Sequence, residues 1–108
     1  MAEVSRESDW DTIRARHRWD IPARYNIAWD ICEKWARTDP ERLALIYLRP
    51  DFERRDYTFA QLARASARFA NALEEHVVGR GDRVGVLLPQ MPETIIAHVA
   101  CYMLGAVV

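Results

Sequence analysis

Few residues in this sequence have the type and spacing of a metal site. His98 and Cys101 lie three positions apart on a predicted helix, so both side chains could reach one ion. A structural zinc site takes four ligands, and the sequence holds no Cys-x-x-Cys motif or second histidine pair to complete the set. We therefore interpret His98 as a buried histidine bonded to the backbone and Cys101 as a thiol of the core.

Two segments are candidates for phosphate or anion binding, one by its glycines and one by its position. Residues 79–82 (Gly-Arg-Gly-Asp) precede a predicted strand, whereas a dinucleotide loop follows a strand and opens a helix, so we predict a surface turn. Residues 89–93 do open a helix, whose free amides could hold an anion. Glu93 already places a negative charge in that first turn. We therefore do not assign an anion site there.

An arginine- and tryptophan-rich stretch near the N terminus has the composition of a nucleic-acid contact. Its members are Trp10, Arg14, Arg16, His17, Arg18 and Trp19. The neighbouring aspartates at positions 9, 11 and 20 are more typical of a solvated, ion-paired face. The whole chain has 15 basic and 16 acidic residues and a net charge of −1, so no overall field would gather nucleic acid or an anionic membrane.

Two further polar residues are explained by their helices. His76 follows Glu74 and Glu75 at the end of a predicted helix, where the helix dipole favours a cation. Ser66 lies on the apolar stripe of the same helix, and no serine, histidine and carboxylate stand at the spacing of a catalytic triad. The sequence therefore assigns no catalytic, cofactor-binding or metal-binding residue.

The composition is that of one globular domain or a piece of one. The chain has 108 residues, half of them apolar, and no apolar stretch approaches the roughly 20 residues of a membrane span. Acidic residues at positions 3, 7, 9 and 11 are unlike a secretory signal or a transit peptide, so we expect a cytoplasmic protein. Cys32 and Cys101 stand in apolar runs, and we expect two buried thiols rather than a disulfide.

The chain divides into an arm, residues 1–24, and the start of a larger domain, residues 25–108. Within the arm, Asp11 is expected to cap a short helix that ends at Arg18. Asn26 is a good N-cap for a second helix, which runs to about Arg37. We expect one stripe of that helix to be buried. It consists of Ile27, Ile31, Lys34 and Trp35.

A hairpin and a long helix are predicted next. Leu43–Leu48 is a short apolar run, consistent with a strand covered on both faces, and a polar turn leads back through a brief strand that ends at Tyr57. Thr58 and Gln61 form the capping-box pattern, so a helix begins there. Its apolar residues recur with a period of 3.6, and we expect this helix to cover a sheet with one face. They are Phe59, Leu62, Ala63, Ser66, Phe69, Ala70 and Leu73.

Residues 79–108 have the pattern of a βαβ unit, which predicts an α/β fold with parallel strands. The strand Arg83–Leu88 is followed by a helix from about Pro92 to Leu104, with Gly105 as its C-cap. Residues 106–108 begin a further strand.

The helix of this βαβ unit has no charged residue from Thr94 to Leu104, so we expect it to be buried all round. A free domain of this size rarely has room for such a helix, and we therefore expect the chain to be the front of a longer protein. The apolar strand at residues 106–108 leaves an open edge, through which we expect this fragment to self-associate.

A series of short segments occurs in a characteristic order. They are residues 25–28 (Tyr-Asn-Ile-Ala), Asp30, and residues 35–36, 40–46, 57–62, 81–84, 87–89, 92–93 and 104–108. In this order and spacing they resemble the N-terminal part of the AMP-forming acyl-CoA synthetases, which belong to the adenylate-forming superfamily. The resemblance covers residues 21–108, and its opening is most similar to the acetyl- and medium-chain acyl-CoA synthetases.

The resemblance implies an enzyme that activates a carboxylic acid with MgATP to an acyl-adenylate and then passes the acyl group to coenzyme A. AMP supplies a leaving group to an otherwise poor electrophile, and Mg²⁺ with basic groups offsets the charge on the phosphates. In the family, the ATP loop and the catalytic lysine would lie beyond Val108. The resemblance therefore implies that this segment holds no cofactor, contributes scaffold motifs at residues 57–62 and 104–108, and is inactive alone.

One departure from the family pattern concerns the end of the long helix. The family commonly has glycine there, whereas this chain has Val77, and a β-branched residue in a left-handed cap costs about 1–2 kcal/mol. Either the helix ends differently in this chain or Gly79 serves as the cap.

Two functions of other classes stay open. One is a natural short module that binds or dimerises through the apolar edge without catalysis. The other is a nucleic-acid binder that uses the arginines and tryptophans of the arm, whose binding would weaken steeply with salt.

Overall fold

A computed structural model of the chain describes residues 10–108. It contains four α-helices, one π-helical turn and two strands. In chain order these are α1 (Trp10–Arg16), the π-helical turn (Trp29–Glu33) that continues into α2 (Lys34–Thr38), β1 (Leu43–Leu48), β2 (Arg54–Thr58), α3 (Phe59–Glu75) and α4 (Pro92–Leu104). This mixture of helices and strands is the predicted α/β class. The first nine residues of the predicted arm lie outside the described residues, and α1 has no buried side chain.

The second helix begins where the sequence predicts but buries a different face. The Oδ1 atom of Asn26 accepts a hydrogen bond from the amide of Ala28 at 2.9 Å, as expected of an N-cap. The predicted buried stripe is wrong, because Ile27 and Ile31 are 44 % and 45 % exposed. Ala28 and Cys32 are fully buried instead. Their small side chains pack in one cluster with Leu62 of α3 and Val99 of α4. The π-helical turn changes the number of residues per turn and so changes which side chains face this cluster.

The predicted hairpin is confirmed. β1 pairs with β2 in an antiparallel register that runs from Leu45 opposite Tyr57 to Leu48 opposite Arg54. The expectation that β1 is covered on both faces is wrong for the part of the chain that the structure describes, because Ile46 and Leu48 are 51 % and 56 % exposed. Two strands with a helix against one side leave the other side open.

α3 begins at the predicted capping box. The amide of Gln61 donates to Oγ1 of Thr58 at 3.3 Å, and the amide of Thr58 donates to Oε1 of Gln61 at 2.9 Å. Leu62, Ser66 and Ala70 form its buried face. This face packs mainly against α4 and makes fewer contacts with the hairpin. The main partner of α3 is therefore a helix and not the sheet that the sequence predicted.

The βαβ unit is formed in part. Arg83 and Val107 form a parallel bridge, in which the amide of Val107 donates to the carbonyl of Asp82 at 2.7 Å and Val84 donates to Val107 at 2.8 Å. Among residues 10–108, residues 84–88 do not pair further with any strand. The strand predicted at Arg83–Leu88 is therefore reduced to this single bridge. Gly105 caps α4 with a φ of 70°, as predicted.

The expectation that α4 is buried all round is wrong within the described residues. Its side chains Ala97, Val99, Ala100 and Cys101 are buried, but Ile95 is 42 % exposed. The core therefore consists of one side of α4, the small side chains of the preceding helices and Leu62.

Candidate functional site

The two ends of the βαβ unit are held together by the backbone of residues 79–82. The amide of Asp82 donates to the carbonyl of Gly79 at 3.2 Å, and the Asp82 carboxylate accepts from the Gly79 amide at 2.8 Å. Gly81, at a φ of 87°, occupies the third position of this turn, where a positive φ favours glycine. The sequence therefore folds here into the predicted turn, with no phosphate-binding geometry.

This turn lies directly against the end of α4. The amide of Gly81 donates to the carbonyl of Gly105 at 3.0 Å. A Cβ atom on Gly105 would stand 3.3 Å from Cγ of Arg80, so a side chain fits poorly there as well as being strained by the positive φ. The segments 81–84 and 104–108 are thus neighbours that fix the parallel strand pair. We call this contact the crossover clamp, and it comprises residues 79–84 and 104–107.

Trp35, which the sequence analysis placed on the predicted stripe of the second helix, makes contacts that the sequence did not reveal. The guanidinium of Arg42 lies 4.5 Å from the centroid of its ring, and Phe59 packs against it at 6.2 Å between centroids. The indole therefore joins α2 to the start of the hairpin and the start of α3. Because this contact joins residues 24 positions apart in sequence, no local pattern could have found it.

The suspected metal pair is part of the packing of α4. Nδ1 of His98 lies 2.7 Å from the carbonyl of Thr94, and the imidazole packs edge-on against Tyr102. Cys101 is fully buried. No group of three or more histidine, cysteine or acidic side chains that could hold a metal ion occurs within residues 10–108. His98 is thus bonded to the backbone, as we interpreted it from the sequence.

The two thiols are poor nucleophiles. Burial raises the pKa of the Cys32 thiol to about 11, with a smaller contribution from the charge of Glu33. Burial also raises the pKa of Cys101 above its ordinary value. Since the thiolate is the reactive form, neither cysteine is suited to covalent catalysis near neutral pH.

The remaining candidates are occupied by local contacts. Nδ1 of His76 lies 2.9 Å from the carbonyl of Ala72, and His17 packs edge-on against Trp19 with centroids 4.6 Å apart. At the start of α4, the hydroxyl of Thr94 donates to the carbonyl of Pro89 at 2.8 Å. Ser66 is fully buried, and its Oγ atom has no hydrogen-bond partner among the described residues.

A shallow groove of about 480 Å³ lies between the hairpin, α3 and the start of α4. Its polar lining side chains are Arg55, Asp56, Tyr57 and Gln61. Asp56 accepts two hydrogen bonds from Arg54 at 2.7 and 2.8 Å, which hold the pKa of that carboxyl below its ordinary value. Gln61 is used by the capping box, and Arg55 lies 3.5 Å from the carboxylate of Glu53. Most of the polar lining is thus engaged in local contacts.

Comparison with known proteins finds relatives that match most of this chain. An acetyl-coenzyme A synthetase of Deinococcus radiodurans is 37 % identical over 108 residues, which cover 99 % of this chain and 16 % of the relative. The human mitochondrial acyl-coenzyme A synthetase ACSM3 is 32 % identical over 106 residues, which cover 93 % of this chain and 18 % of the relative.

Solved structures give the same result. The crystal structure of a Brucella canis acyl-CoA synthetase matches with a TM-score of 0.71 at 30 % identity, over 76 % of this chain and 15 % of that one. The o-succinylbenzoate coenzyme A synthetase of Bacillus subtilis, in complex with ATP and a magnesium ion, matches with a TM-score of 0.61 at 40 % identity, over 68 % of this chain and 19 % of that one.

The chain thus spans less than a fifth of the length of these relatives. No helix within residues 10–108 combines the length and the apolar character that crossing a membrane requires. Residues 32–108 match the model of the family described as AMP-binding enzyme. By this match and by its likeness to the synthetases, the chain belongs to the AMP-binding enzyme family that includes the AMP-forming acyl-CoA synthetases.

Proposed function

We propose that this chain is a scaffold portion of an AMP-forming carboxylic acid–CoA ligase. The complete enzyme would convert a carboxylic acid, ATP and coenzyme A to acyl-CoA, AMP and diphosphate. The observation that carries the proposal is the crossover clamp: its residues include most of the segments 81–84 and 104–108, which resemble the family, and these meet in space through the parallel bridge between Arg83 and Val107.

The exposed surface supports a role within a larger body. Several large apolar side chains of the described residues lie in solvent: Leu48, Leu87 and Val107 are 56 %, 98 % and 56 % exposed. Such surfaces are normally covered by protein.

ATP, Mg²⁺ and coenzyme A belong to the complete enzyme in this proposal. The described residues offer no cluster of acidic or histidine ligands for Mg²⁺ and no loop of the phosphate-binding type. The residues that bind ATP, Mg²⁺ and coenzyme A would lie in other parts of the complete enzyme.

A direct assay tests the inactivity of the isolated chain. The purified 108 residues, incubated with ATP, Mg²⁺, acetate or a medium-chain fatty acid, and coenzyme A, should release no AMP above the rate without protein. AMP release that depends on the added acid would refute the scaffold role.

We also propose that the isolated chain self-associates through its open edge, formed by residues 84–88 and by Val107 and Val108. Beyond the bond from the amide of Val84 to Val107, residues 85–88 lie outside any strand pairing among the described residues, and an apolar edge of this kind favours pairing with another chain. Sedimentation velocity over a range of concentrations should show mass increasing with concentration. Substituting Leu87 and Val107 by lysine should weaken this increase.

A cytoplasmic location is a further part of the proposal. Cys32 and Cys101 are both free and buried, and unpaired thiols are typical of reducing compartments. Imaging of the complete protein with a fluorescent tag tests it, and a signal confined to an organelle would contradict it.

A further inference from the structure

Met103, near the end of α4, is an oxidisable side chain that lies between solvent and the core. It is half-buried and lines a groove of about 420 Å³ between α2, α3 and α4, which we call the helical groove. The same side chain packs against the core cluster. A small solute in the groove therefore meets a thioether whose other side faces the core. The cluster consists of Ala28, Cys32, Leu62 and Val99.

Met103 supplies most of the cover between the helical groove and this cluster. Of the residues that line the groove, Ala63 and Met103 also pack against the cluster. Ala63 contributes only a methyl group, so the longer side chain of Met103 is the larger part of the cover. A change in the polarity of its sulfur would therefore act directly on the packing around Cys32.

The two thiols are protected while this cover is in place. Cys32 and Cys101 are both fully buried, and burial raises the pKa of each. The thiolate is the form that reacts with oxidants, and it is scarce under these conditions. A thioether has no proton to lose before it reacts. An oxidant in the helical groove therefore attacks Met103 before it attacks either cysteine.

We propose that Met103 is a hydroperoxide-sensitive site whose oxidation exposes Cys32. Sγ of Met103 attacks one oxygen of hydrogen peroxide, and the S–O bond forms as the O–O bond breaks. The thioether loses two electrons, and the released hydroxide takes the proton from the sulfur-bound oxygen and leaves as water. The product is the polar sulfoxide.

The sulfoxide fits the core poorly. A polar group against an apolar cluster is disfavoured unless it is hydrogen-bonded, so the cluster should open toward the groove more often. Cys32 belongs to this cluster and Cys101 does not. The opening should therefore expose Cys32 selectively. This proposal does not depend on the enzymatic one.

Thiol labelling of the full chain after treatment with hydrogen peroxide tests the site. Peptide mass spectrometry measures the sulfoxide at each methionine and the labelling of each cysteine by a disulfide reagent. Conversion of Met103 to the sulfoxide should raise the labelling rate of Cys32 by about tenfold or more, as expected from placing a polar group against the cluster. The labelling rate of Cys101 should change little.

Two variants distinguish the methionines of α4 and its N-cap. Met91 is the matched control, because it is also half-buried but lies at the opposite end of α4, outside the residues packed on the cluster. Met91→Leu should keep the full increase in Cys32 labelling after peroxide. Met103→Leu, which nearly conserves the side-chain volume, should abolish it. Methionine sulfoxide reductases should return the oxidised parent chain to slow labelling.

Several results would overturn the proposal. One is peroxide treatment that oxidises Met91 but leaves Met103 intact. Another is a fully oxidised Met103 with no change in the labelling of Cys32. An equal increase in the Met103→Leu variant, or a rise at Cys101 as large as that at Cys32, would show that the exposure has another cause.

Discussion

Val77 ends α3 in a conformation that suits glycine. It has a φ of 65°, its amide donates to the carbonyl of Glu74 at 2.8 Å, and the amide of Val78 donates to the carbonyl of Leu73 at 3.0 Å. These two bonds define a Schellman motif, in which the residue after the helix takes the left-handed conformation. Both alternatives that the sequence left open are wrong, because the helix does not end differently and Gly79 is not its cap: Val77 itself takes the left-handed position.

The effect of Val77→Gly follows from three contributions. Releasing the left-handed strain of a residue with a Cβ atom stabilises the fold by about 1–2 kcal/mol. The greater freedom of glycine in the unfolded chain opposes this by about 0.4–1 kcal/mol. Little burial is lost, because the side chain is 88 % exposed. We therefore expect a net gain of about 0.5–1 kcal/mol in the free energy of unfolding, or a rise of a few degrees in Tm.

Urea unfolding followed by circular dichroism at 222 nm measures this gain. Val77→Ala is the matched control, because it removes the β-branch but keeps the Cβ atom that clashes in the left-handed conformation. Its gain should be smaller than that of glycine. If Val77→Gly instead lowers the free energy of unfolding by about 1 kcal/mol, as glycine does within a helix, then α3 does not end at this residue and the reasoning is wrong.

Four further outcomes are expected. Ser66→Ala should raise the free energy of unfolding by about 1 kcal/mol in urea, because it removes a buried hydroxyl that lacks a partner. Thr58→Ala should lower it by about 1 kcal/mol through loss of the helix cap. Gly105→Ala should lower it by at least about 1 kcal/mol and shift the amide resonances of residues 79–82, because the left-handed cap and the close turn both exclude a Cβ atom. The pKa of Cys32 is raised to about 11, so the thiol stays protonated to a higher pH in the folded state than in the unfolded state. The free energy of unfolding should therefore decrease as the pH rises from about 9 to 11, and Cys32→Ala should make this decrease smaller.

Local chemistry made part of the fold predictable from the sequence. The capping box of Thr58 and Gln61, and Gly105 at the end of α4, depend on side chains a few residues apart, and the structure has both in place. The hairpin followed from an apolar run beside a polar turn. These signals need no knowledge of the rest of the molecule.

The errors concern burial, which depends on distant parts of the chain. Ile27 and Ile31 looked like the inner face of their helix, but Ala28 and Cys32 occupy it. A period of 3.6 could not reveal this, because the π-helical turn at residues 29–33 departs from that period. The full burial expected for α4 and β1 also failed, since the described residues supply cover on one side only.

From its residues, the sequence predicts no catalytic group in this segment, and the family resemblance implies that such groups lie elsewhere in the complete enzyme. Both statements stay predictions. The crossover clamp required coordinates, because Arg80 meets Gly105 only after the chain has returned through α4.

The central claim is that this chain serves as a working scaffold segment of an acyl-CoA synthetase. The most direct measurement replaces the matching segment of the Deinococcus radiodurans acetyl-coenzyme A synthetase, 37 % identical over 108 residues, with this chain and assays AMP release from ATP, acetate and coenzyme A. We predict that the chimera forms AMP, and that Gly105→Ala within it lowers the rate. A chimera that is folded by circular dichroism and cooperative melting, yet releases no AMP, would contradict the account.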